Sequence, residues 1–87
     1  MARYQMLSAE HAPLGQAPDG DTLFQLGLRC ATTTTPDDRV AAHKWFNIAA
    51  MRGNAEAARL RREIADEMSP SEIACAQRAA RAWLTRH

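Results

Sequence analysis

The sequence predicts an all-α fold: two antiparallel helical hairpins, about four helices, stacked as a short α-α repeat behind an irregular N-terminal arm. Three observations carry that prediction. Eighteen of the 87 residues are alanine, the strongest helix former because it loses no side-chain entropy and hides no polar group. Val, Ile and Tyr are scarce, which leaves little to build strands from. Two Ser/Thr-Pro steps, Thr35-Pro36 and Ser69-Pro70, stand where helices should begin.

Residues 1–18 read as the arm. His11-Ala12-Pro13-Leu14-Gly15 and Ala17-Pro18-Asp19-Gly20 carry breaker signals, and Tyr4, Met6 and Leu7 precede them without a sustained period. Residues 19–87 read as one helical-repeat domain, since a chain this short accommodates a single core. A first helix is predicted from about Asp21 to Ala31, with Asp19 or Asp21 as its cap. Leu23, Leu26, Gly27 and Cys30 recur at helical spacing on one face, and Phe24 and Leu28 widen it. Glycine inside a helix costs roughly 1 kcal/mol against alanine, so Gly27 predicts a close crossing by the next helix.

The second helix should run from Pro36 to about Arg52. Thr35 caps it, and Asp37 and Asp38 lie at the positive end of the helix dipole. Ala41, Trp45, Ile48, Ala49 and Arg52 form its expected core stripe, flanked by Val40, and Gly53 is the expected stop. Asn54 should cap a third helix reaching about Met68, with Ala57, Leu60, Ile64 and Met68 inward and Arg62 and Asp66 outward. Ser69-Pro70-Ser71-Glu72 has the capping-box arrangement and opens a fourth helix to about Thr85. Ile73, Ala76, Ala80, Trp83 and His87 face the core there, with Trp83 and Leu84 closing its end. Leu26, Gly27, Trp45, Ala49, Leu60, Ile64 and Trp83 are the predicted structural core.

Charge and cysteine content narrow the function. The formal net charge is +1, which disfavours a chain held on nucleic acid by bulk charge. Cys30 and Cys75 lie far apart without a C-x-x-C pair and read as reduced core thiols. No signal-peptide pattern opens the chain and no apolar run is long enough to span a membrane, so the expectation is a cytoplasmic protein. His11, His43 and His87 are widely separated and predict no metal site. No phosphate loop or nucleophile motif is present, and Asp37-Asp38 is explained by the helix start. The expectation is a non-enzymatic protein without cofactor or small-molecule substrate.

Leu26-Gly27, Asp38 and the run Ala42-x-x-Trp45-x-x-x-Ala49-Ala50-x-x-Gly53, followed by Asn54 and Ala57, resemble the Sel-one-like repeat family, relatives of the tetratricopeptide repeats. The resemblance covers one clear repeat at about 23–57. A capping hairpin at about 54–86 follows the pattern more loosely. Cys30 stands where the family usually has Tyr, and Ala31-Thr32-Thr33-Thr34-Thr35-Pro36 replaces its Gly-rich turn. The resemblance implies a protein-protein interaction module, an adaptor or scaffold of bacterial-like type, whose helical surface takes a protein partner. Repeat arrays usually need about three units for stability, so self-association or burial in an assembly is also expected.

Positions off the core stripes supply the candidate partner-binding residues: Gln25, Arg29, Arg59 and Arg62, with Asp66 as a polar neighbour. Two alternatives stand beside this reading. One is a small regulatory nucleic-acid-binding helical protein using Arg78, Arg81 and Arg86. The other is an accessory subunit of a larger complex.

Overall fold

The computed structural model describes residues 18–33 and 35–86. Four helices follow one another: α1 Gly20–Ala31, α2 Pro36–Met51, α3 Ala55–Ala65 and α4 Pro70–Arg86. There is no strand among the described residues. The predicted arm, Pro18 excepted, and His87 at the predicted inner face of α4 lie outside them.

Each helix start is fixed by a local hydrogen bond. Asp19 caps α1, its Oδ1 accepting the Thr22 amide at 2.8 Å. At α2 the Asp38 amide donates to Thr35 Oγ1 at 3.1 Å while Thr35 Oγ1 donates to Asp38 Oδ2 at 2.8 Å. Thr33 also donates to the Asp38 carboxylate, so the threonine-rich connection is stitched to the first turn of α2. These donors hold the Asp38 carboxyl below the usual carboxylate range, Thr33 first and Thr35 second. Asn54 Oδ1 accepts the Ala57 amide at 2.9 Å to open α3. Ser69 and Glu72 complete the predicted reciprocal box at α4. The Ser69 amide donates to Glu72 Oε1 at 3.0 Å and the Glu72 amide to Ser69 Oγ at 3.1 Å.

Gly53 ends the first hairpin with φ +99°, in the left-handed region that a side chain resists. Its conformation lets the Asn54 amide return to the Ala49 carbonyl at 3.0 Å. The third helix is shorter than predicted and stops at Ala65, not near Met68. The amides of Glu67 and Met68 donate to the carbonyls of Ile64 and Ala65, three residues back. That tightened turn ends the α-helix yet folds Met68 inward, so it stays buried.

The core is organised around α2. Each of α1, α3 and α4 packs on α2, and α3 and α4 meet each other far less. Ala42, His43, Trp45, Phe46, Ile48 and Ala49 are all buried, so α2 is not the single-stripe helix predicted. Packing against three neighbours widens its buried face and leaves only a strip along Asp37, Val40, Lys44, Asn47 and Met51 toward solvent. Ala42 is fully buried, and Ala41, predicted inward, is only half-buried.

Two aromatic contacts tie the neighbours to α2. The Trp45 and Trp83 rings meet edge-on with centroids 5.6 Å apart at 83°, joining α2 to α4. Phe24 of α1 meets Phe46 of α2 at 5.9 Å. Phe46, absent from the predicted stripe, explains Gly27: a Cβ there would lie 2.4 Å from the Phe46 ring. The close crossing is real, and its cause is one ring seated on the α1 backbone. Leu23, Trp45, Ala49, Ala57, Ala80 and Trp83 belong to the buried cluster together with Ala42, Phe46 and Ile48, and Leu26, Leu60 and Ile64 are half-buried against it. Of the cysteines, Cys30 is half-buried on the core and Cys75 is exposed. Cys75 is therefore not the core thiol expected; it occupies the solvent side of α4, away from Ala76 and Ala80.

Candidate partner-binding surface

The outer faces of α1 and α3 follow from the inner ones. Once Leu23 and Gly27 turn α1 toward α2, Gln25 and Arg29, four residues apart, share its exposed side. Once Ala57 anchors α3, Arg59, Arg62 and Asp66 line its exposed side at spacings of three and four. All five candidate residues are exposed. Among the described residues no side-chain hydrogen bond or ion pair joins the α1 pair to the α3 trio.

The five differ in what they already do. Arg59 donates to Glu63 Oε2 at 2.6 Å and to the Glu56 carboxylate, so its charge is met within its own helix. Such exposed pairs contribute about 0.5 kcal/mol each or less. Asp66 ends α3, its amide donating to the carbonyls of Arg62 and Glu63 at 3.3 Å. Arg29 and Arg62 have no side-chain partner among the described residues and are the more available cations.

Several polar residues outside the candidate partner-binding set hold the frame behind this surface. Arg61 Nη1 donates to Asn47 Oδ1 at 2.8 Å, pinning α3 to α2. His43 lies in the same region, 3 % exposed, and its Nδ1 has no hydrogen-bond partner among the described residues. Burial pushes the imidazole below its ordinary value, and the Arg61 charge adds to the shift. At the far end of α2, Arg52 Nη1 donates to the Pro18 carbonyl at 3.0 Å and its guanidinium lies 5.6 Å over the Trp83 ring. Asn54 Nδ2 donates to Asp21 Oδ1 at 2.9 Å, linking the starts of α1 and α3. The readable signal for His43 was its place beside Ala42 and one turn before Phe46, both of them buried.

Burial, then the nearby Asp38, pushes the Cys30 thiol up, which keeps it a poor nucleophile. No group of three His, Cys, Asp or Glu among the described residues could hold a metal ion, and no described helix is long and apolar enough to cross a membrane. Compared with protein-family models, with curated proteins and with solved structures, the chain finds no match.

Proposed function

We propose that the chain is a non-enzymatic protein-interaction module of the Sel-one-like type, an adaptor or scaffold that takes a partner segment across α1 and α3. The observation that carries this reading is the shared support of those helices. Both rest on α2, and both keep a polar, exposed outer face while their apolar residues are used inward. A rigid central helix can hold two such faces in fixed relation, which lowers the ordering cost of binding. Arg29 and Arg62 are its main anchors. Arg combines a bidentate fork with a long apolar stem and is enriched at binding hot spots.

Affinity capture from the native cell tests this, comparing the wild-type chain with the double variant R29E/R62E. Both residues are exposed and have no side-chain partner among the described residues, so the variant should stay folded and lose only the last-turn helix-dipole term, about 1–2 kcal/mol in all. The expected result is at least one protein retained by the wild type and lost about tenfold with the variant. Equal retention by both, or nothing retained above bare resin, would remove the reading.

A further inference from the structure

Among the described residues the arginines differ in what they meet. Arg52, Arg59 and Arg61 each meet an acceptor within the fold. Arg78, Arg81 and Arg86 on α4 are all exposed, and none has an ion pair among the described residues. Ala76, Ala80 and Trp83 turn the opposite side of α4 to the core, so Arg78 and Arg81 share the outward side and Arg86 flanks it. Arg86, in the last turn, is favoured there by the helix dipole. Arg78 and Arg81 lie mid-helix and have no such explanation. The acid on α4, Glu72, is spent on capping its first turn. The cationic stretch from Arg78 to Arg86 spans about 12 Å at the rise of an α-helix. The exposed side of α4 also carries small residues, Cys75 ahead of the arginines and Ala82 and Thr85 between Arg81 and Arg86, that leave room for a close neighbour.

We infer that this face of α4 docks an acidic helix of a protein partner. The inference rests on the interaction-module reading and adds a second surface to it. Arg78 and Arg81, three residues apart, match carboxylates spaced three or four apart on a facing helix, and Arg86 extends the positive charge to the helix end. Small residues permit the helix-to-helix approach of about 8–10 Å that such pairing needs. A nucleic acid fits less well. The chain is almost neutral overall, which offers a phosphate backbone little bulk charge.

The test uses a fluorescently labelled, alanine-based helical peptide of about 16 residues, long enough to hold a helix, with glutamates four apart on one side. Its anisotropy is followed on titration with the whole chain at about 50 and about 200 mM salt. Saturable binding is expected, weakened about fivefold or more by R78E/R81E and by the added salt, and unchanged by R29E/R62E. R78Q/R81Q removes the charges without adding acid and should show the same direction of loss, which keeps the test valid should the reversal variant melt early. Absence of binding, or α4 variants that bind as tightly as the wild type, overturns the inference. Tighter binding of a labelled oligothymidylate of matching charge overturns it in favour of nucleic acid. Capture depends on R29E/R62E and peptide binding on R78E/R81E, so failure of one reading is distinguishable from failure of the other.

Discussion

The two halves of the molecule are built differently. In the first, α1 and α2 pack directly on each other along their lengths, with Leu23, Gly27 and Phe46 interlocked. In the second, α3 and α4 each lean on α2 more than on one another. The first half is a hairpin with its own interior. The second is a pair of helices that take their interior from α2. The difference explains how so small an alanine-rich chain closes a core: one helix is shared three ways. It also leaves the outer sides of α1, α3 and α4 available for contacts.

The strongest way to break the comparison is Trp83→Ala. Trp83 is 1 % exposed and supplies the edge-on contact with Trp45 that binds α4 to α2. Loss of about 3–5 kcal/mol is expected in chemical denaturation, enough to release the second half. A loss below about 1 kcal/mol would mean that α4 is held elsewhere.

A second change probes the first half. Gly27→Ala should cost about 1–3 kcal/mol by overpacking, because the buried Phe46 ring has nowhere to move. Phe46→Leu in the same chain should recover part of that loss, which a double-mutant cycle would read as coupling. Simple additivity would show that Gly27 answers to something other than the ring.

The smallest effect comes from pH at the α2–α3 junction. The His43 imidazole is pushed below its ordinary value of 6.5, so the unfolded chain binds its proton more readily than the fold does. Stability from this group is therefore complete above about pH 6.5 and declines as pH falls below it. Asp19 and Asp38 are shifted down from 3.8, so their contribution is lost only in a lower, separate window as pH falls through their folded values. His43→Gln should flatten the upper part of the profile, read by thermal melts across pH. An unchanged slope between about pH 7 and 5 would remove His43 as its source.

The helix starts were legible in the sequence because capping is local. Asp19, Thr35-Pro36, Asn54 and Ser69-Glu72 act within four residues of themselves, and each forms the expected bond. The sharing of α2 was not legible. A stripe read from one helix assumes one neighbour, so Phe46 and His43, on the flanks of the predicted stripe, were passed over. The outward direction of the candidate site residues followed from helix phase. Their pairing did not: that Arg59 lies between Glu56 and Glu63 while Arg62 has no partner depends on rotamers that spacing leaves open.

The central claim is that α2 carries the outer helices, and amide hydrogen exchange resolved by helix tests it most directly. The amides of α2 should exchange slowest and those of α3, the shortest helix and one packed chiefly on α2, fastest among the helices. Protection in α3 equal to or greater than that in α2 would contradict the claim.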